Sequence, residues 1–134
     1  MKVYVNNVSR ETYGGNMKFK MNDIIYEIRE MSQKDYKEYR KAEDIKTVCG
    51  EIDYTKGMYF GATHNYQNII FLDKDLPPDR KRRTLLHELT HCYIAEFITH
   101  QDKTFDEEDV ADICANCHDV IHYICEEYFE KNSK

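Results

Sequence analysis

No stretch of this 134-residue chain approaches the roughly 18 consecutive apolar residues that a membrane-spanning helix needs. The first residues, Met1-Lys2-Val3-Tyr4-Val5-Asn6, also lack the apolar core of an export signal. Five cysteines (Cys49, Cys92, Cys114, Cys117 and Cys125) are an odd number, which fits reduced thiols in a cytoplasmic protein better than a disulfide framework. The net charge is −6, and the basic face typical of nucleic-acid-binding modules is missing. The one basic cluster, Arg80-Lys81-Arg82-Arg83, reads as a solvated helix terminus. No repeat or low-complexity tract interrupts the chain. The expectation is one domain over residues 1–134, long enough to bury a core without disulfides.

What the sequence does contain is Leu85-Leu86-His87-Glu88-Leu89-Thr90-His91-Cys92-Tyr93-Ile94. Residues four apart share a helical face, so His87 and His91 can aim two imidazole nitrogens at one point. Two neutral imidazoles so placed can share a zinc ion. Glu88 can then reach a water at the metal without being a ligand, the general-base arrangement of the H-E-x-x-H signature of zinc peptidases. The apolar flanks Leu85, Leu86, Leu89, Cys92, Tyr93, Ile94 and Phe97 would keep the site dry, which two surface histidines on an amphipathic helix would not require.

Along the chain, residues 1–8 have the period of a short strand and residues 11–16 are turn-rich. Met17-Lys18-Phe19-Lys20-Met21, a turn at Asn22-Asp23, and Ile24-Ile25-Tyr26-Glu27-Ile28-Arg29 predict a hairpin. Ser32 can cap a peripheral helix over about residues 33–46, with a sparse stripe of Tyr36, Tyr39 and Ile45. Two more strands are expected, over 50–60 and 68–73, the second the most buried. Pro77-Pro78-Asp79 opens the histidine helix, roughly 79–99. A loop with Asp102, Lys103 and Thr104 leads to a last helix over about 105–131. The expected class is α+β, a small and mostly antiparallel sheet packed on the zinc-binding helix and followed by a long C-terminal helix.

A catalytic zinc takes three protein ligands and a water. The extended histidine motif with a glycine is absent, since Phe97 holds its third histidine position and His100 sits in a polar loop. The remaining supply is Phe105-Asp106-Glu107-Glu108-Asp109-Val110-Ala111-Asp112-Ile113-Cys114. In a regular helix Glu107 lies nearer the apolar stripe of Val110, Cys114, Cys117, Ile121 and Tyr128, whereas only Glu108 has an acid four residues on. The segment resembles the second motif of the gluzincins, the thermolysin-like zinc peptidases. That resemblance assigns the third-ligand role to Glu108 and gives Asp112 the task of holding a ligand histidine by its other N–H. An acidic first turn that complements the helix dipole is the bland reading of the same residues.

With the aliphatic strand before Thr84-Leu85-Leu86-His87-Glu88-Leu89-Thr90-His91 and the short link to the acidic helix, the chain resembles the ImmA/IrrE-type metallopeptidases over about residues 69–124. These small gluzincin-like proteins are common in phages, mobile elements and bacteria. Asp112 stands where they usually have asparagine, and no DNA-binding domain of their kind is expected. The resemblance implies a zinc-dependent peptidase acting on a protein or peptide. Zn²⁺ would be held by His87, His91 and Glu108, with Glu88 as base. An extended substrate would lie along Ile69, Ile70, Phe71 and Leu72 by β-augmentation. Membrane and nucleic acid are not expected partners. A non-catalytic zinc-binding interaction or regulatory domain is the alternative, and a DNA-binding regulator is disfavoured by the acidic balance.

Two further patterns carry less. Cys114-Ala115-Asn116-Cys117-His118 matches the c-type haem attachment string, but small buried side chains account for the cysteines without an oxidising compartment. Tyr59, Tyr66, Tyr93 and Tyr123 read as core or rim residues. A donor for the developing oxyanion is still required, and His118, His122, Tyr123 and Tyr66 are the candidates.

Overall fold

The computed structural model describes residues 16–48, 50–53, 55–98 and 105–132. The strand expected over 1–8, nearly all of the turn-rich 11–16 stretch, and the loop with Asp102, Lys103 and Thr104 lie outside the described residues. The expected hairpin is present as β1 (Met17–Met21) and β2 (Ile24–Met31). Asn22 and Asp23 join the two strands with φ of 50° and 65°. Positive φ at both central residues is the twist-matched hairpin turn, and short polar side chains tolerate it.

Ser32 accepts a hydrogen bond from the Asp35 amide at 3.0 Å and starts α1 (Gln33–Ala42). The helix stops before residue 46 because Asp44 takes the left-handed conformation, φ 54°. The single strand expected over 50–60 is instead β3 (Gly50–Asp53) and the start of β4 (Met58–His64). The Asp53 carboxylate accepts from the Thr55 amide and hydroxyl at 3.0 and 2.6 Å, and Gly57 closes the turn at φ 65°. This side-chain-to-backbone turn competes with a continuous strand.

β5 (Ile69–Asp73) completes a sheet of order β1-β2-β5-β4-β3, antiparallel except where β2 meets β5. The fold is thus the expected α+β arrangement. One expectation is overturned. β5 is hydrogen-bonded to β2 on one side and β4 on the other, so Ile69, Ile70, Phe71 and Leu72 have no free edge on which to pair a substrate. Among the described residues the edges are β1 and β3.

The two faces of the sheet differ. On one, Tyr36 of α1 stacks on Phe71 with ring centroids 3.6 Å apart, beside Met31 and Ala62. On the other lies α2 (Pro78–Phe97), which begins with Pro78 in the first turn, where a missing N–H costs nothing. The sheet face under α2 grades from apolar to polar. Met17, Phe19 and Met21 of β1, Tyr26 and Ile28 of β2, and Ile70 and Leu72 of β5 are buried against Leu85, Leu89, Cys92 and Tyr93. Beyond β5 the same face presents Gly61 and Thr63 of β4 and then Glu51 of β3, opposite Gly61.

The last helical segment is not one regular helix. It runs as α3 (Glu107–Asp112), a π turn at Ile113–Cys117, and α4 (His118–Asn132), which buries Ile121, Ile124, Cys125 and Tyr128 against α2. The basic cluster is largely engaged internally, since Arg80 pairs with Glu51, Lys81 with Glu30 at 2.6 Å, and Arg82 with Glu126. No helix among the described residues is long and apolar enough to cross a membrane.

Gly61 sets the approach of α2 to the sheet. A Cβ there would stand 2.6 Å from Thr84 Cγ2 and 2.9 Å from the Phe71 carbonyl oxygen. Gly61→Ala should therefore lower the free energy of unfolding in urea by about 1–3 kcal/mol, the usual cost of overpacking. An unchanged midpoint would show that the helix has room to move away.

Candidate active site

The helical spacing of His87 and His91 brings their rings together as the sequence predicts. The two Nε2 atoms are 3.3 Å apart, with ring centroids at 4.9 Å. Two donors on one tetrahedral zinc, each at about 2.0–2.1 Å, are separated by about 3.3 Å, so the pair has the spread a shared cation requires. Burial, and then the neighbouring His87, push the His91 imidazole below its usual range. Both causes favour the neutral ring, the form in which a histidine binds a metal.

Glu88, next to the solvent-exposed His87 on α2, turns into the seam with β4 and is fully buried there. Thr63 donates its hydroxyl hydrogen to Glu88 Oε1 at 2.8 Å and also lies 3.2 Å from the Glu88 carbonyl oxygen. Oε2 is buried without a hydrogen-bond partner among the described residues. Burial is the main cause that pushes the carboxyl up from 4.5 to about 7; the Thr63 bond opposes this, the Glu51 charge adds to it, and the Glu51 backbone amide opposes it more weakly. A buried polar oxygen without a partner is costly, and such groups cluster where chemistry needs them.

Glu51 enters from β3, a contribution the sequence did not reveal. Its Oε2 lies 3.5 Å from His87 Nδ1, while Oε1 accepts from the Thr84 hydroxyl at 3.0 Å and faces Arg80 at 3.5 Å. Nothing local marks Glu51, Thr63 or Gly61 as site residues, because only the sheet register carries them under α2. Thr84, one turn before Glu88 within the motif helix, was the one visible hint.

The acidic helix is placed differently from a straight continuation of α4. A π turn holds one more residue than an α turn. Counting back from buried Cys117, the face toward α2 is therefore continued by Asp112, five residues earlier. Asp112 Oδ2 accepts from the Tyr93 hydroxyl at 3.3 Å and Oδ1 from the Asn116 amide. Its partners are thus Tyr93 and Asn116 instead of the histidine ring expected from the resemblance. Val110 and Cys114, which an unbroken stripe would bury, are exposed. Glu108 lies one turn before Asp112 on the same face, and Glu107 is rotated off it. Both glutamates are exposed, and among the described residues no third His, Cys, Asp or Glu joins His87 and His91 at one metal point.

The other candidates are scattered. His118 and His122 stack on each other at 4.1 Å on α4, Tyr123 is exposed, and Tyr66 stands at the tip of the β4–β5 turn. Among the described residues none of the four hydrogen-bonds to His87, Glu88 or His91. Of the Cys-x-x-Cys pair, Cys117 is buried and Cys114 exposed, and burial pushes the Cys117 thiol up to about 11. His100 lies outside the described residues.

The buried carboxyl has a consequence for metal-free protein. The folded pKa is raised above the unfolded value, so the folded state binds more protons between pH 4.5 and about 7, and stability falls as pH rises through that window. The loss should reach up to about 3 kcal/mol by pH 8, and Glu88→Gln should abolish that component of the slope. Parallel pH profiles for the two metal-stripped proteins would contradict the burial.

No curated protein and no solved structure matches the chain at a significant level. The M78 peptidase family, described as the IrrE N-terminal-like domain, matches residues 27–129, from β2 to α4 and across both helices discussed above. With most of its length matched, and with a histidine pair and a buried glutamate on α2, this chain belongs to that family of metallopeptidase-type domains.

Proposed function

We propose that the protein is a zinc-dependent peptidase in which His87, His91 and Glu108 hold the ion and Glu88 is the general base. One observation carries the reading. Two imidazole Nε2 atoms converge to 3.3 Å on the helix that also buries a carboxylate with one uncommitted oxygen. When bound, the ion supplies Lewis acidity toward water and toward a peptide carbonyl.

The remaining steps belong to the chain. Thr63 engages Oε1 of Glu88 and leaves Oε2 as the basic atom. Oε2 takes a proton from the attacking water and returns it to the leaving amine, so one carboxyl serves as base and then acid. Glu108 is preferred over Glu107 because it lies one turn before Asp112, the carboxylate that accepts from Tyr93 of α2. An extended peptide would suit the side of β3 that no described strand pairs with, on the strand that carries Glu51 to His87. Main-chain hydrogen bonds to such an edge recognise backbone and leave side-chain choice to neighbouring pockets.

A non-catalytic zinc module has no use for an uncommitted Oε2 on Glu88. The carboxylate does not bridge elements through Oε2, and its burial destabilises the ionised protein. Glu88→Gln should therefore keep stoichiometric zinc while hydrolysis of unfolded protein substrates drops by about 10²–10⁴-fold. His87→Ala and His91→Ala should each lose the metal, and Glu108→Ala should weaken its binding. Full turnover by Glu88→Gln would reject the base assignment.

A further inference from the structure

We infer that Glu51 is the positioning residue of His87, holding the imidazole proton on Nδ1 so that Nε2 keeps its lone pair for the ion. The inference rests on the metal-binding reading above and deepens it. A histidine ligand needs its second nitrogen fixed by an acceptor, because the acceptor chooses both tautomer and ring orientation. The resemblance to known zinc peptidases leads one to look for that acceptor on the acidic helix at Asp112. Here Asp112 is engaged by Tyr93 and Asn116. Glu51, from the opposite side of the site, is the carboxylate that faces Nδ1 of His87.

Three features support the assignment. The geometry is divided between the two nitrogens, with Nδ1 toward Glu51 and Nε2 toward His91. The carboxylate is itself held: Oε1 accepts from Thr84, a fully buried residue one turn before His87, and faces Arg80. Finally, Gly61 is the register partner of Glu51, and its missing side chain leaves the space through which α2 comes close to β4 beside Glu51. The 3.5 Å separation is long for a hydrogen bond. Histidine χ2 is a soft torsion, so a small ring rotation would be enough to shorten it.

Glu51→Gln makes a sharp test. Arg80 and Thr84 both present donors to Oε1, which favours the glutamine oxygen on their side and turns its NH₂ toward His87. An N–H donor facing Nδ1 drives the ring proton to Nε2, the tautomer that cannot bind metal there. The experiment reads the His87 ring nitrogens by long-range ¹H–¹⁵N correlation in metal-stripped protein at about pH 8, above the histidine range. Zn²⁺ affinity is measured separately by competition with a chelating dye. Wild type should carry the proton on Nδ1, and Glu51→Gln should move it to Nε2. The Zn²⁺ Kd should rise about 10–100-fold, the usual cost of losing such a partner. Glu51→Ala, which removes the acceptor without adding a donor, should give a mixture of tautomers.

An unchanged His87 tautomer in both variants would overturn the proposal, even if stability fell, since a merely structural Glu51 would lower stability alone. If wild type bound no Zn²⁺, the peptidase reading would fail, and the tautomer measurement would still decide the role of Glu51.

Discussion

Everything at this site depends on placing a carboxylate, Glu88, in the seam between a helix and a sheet. Ionised carboxylates resist burial strongly, and the Thr63 hydroxyl with the Glu51 backbone amide does not offset that cost. The seam exists because Gly61 lets α2 approach β4 closely, with the Glu88 Cγ only 3.4 Å from where a Cβ would be. The same closeness puts Thr84 and Glu51 within hydrogen-bond reach of each other. A small structural allowance at one strand position thus governs both the buried carboxylate and the histidine beside it.

The helix itself divides its labour by angle. Leu85, Leu89, Cys92 and Tyr93 face the apolar strands and α4, where they anchor the helix. Thr84, His87, Glu88 and His91 project toward the polar end of the sheet or the solvent beside it. Rigid anchoring on one side is what lets two imidazoles be held within a few tenths of an ångström of metal-sharing distance on the other. Ion pairs of Lys81 with Glu30 and Arg82 with Glu126, and the Tyr128 contact to Glu30, add fixed points between α2, the sheet and α4.

What could be read from the amino-acid order was what local chemistry decides. The Asn22-Asp23 hairpin, the Ser32 cap, the proline start of α2 and the convergence of His87 with His91 each need only neighbours within one or two turns. Glu51 and Thr63 were invisible because sheet register, a long-range property, brings them under α2. Pairing of a substrate with residues 69–72 fails for a related reason. The apolar run Ile69 to Leu72 that looked inviting is apolar because strands flank it on both sides, and an interior strand has no edge to offer. The π turn at Ile113–Cys117 likewise undid the angular argument for Glu107, since one inserted residue rotates every earlier position.

The most direct test of the central claim is zinc K-edge X-ray absorption on the purified, zinc-loaded protein. Two imidazole nitrogens at about 2.0–2.1 Å, with oxygen donors completing the shell and no sulfur, are expected. A shell with thiolate at about 2.3 Å, or one without histidine, would contradict a site built on His87 and His91.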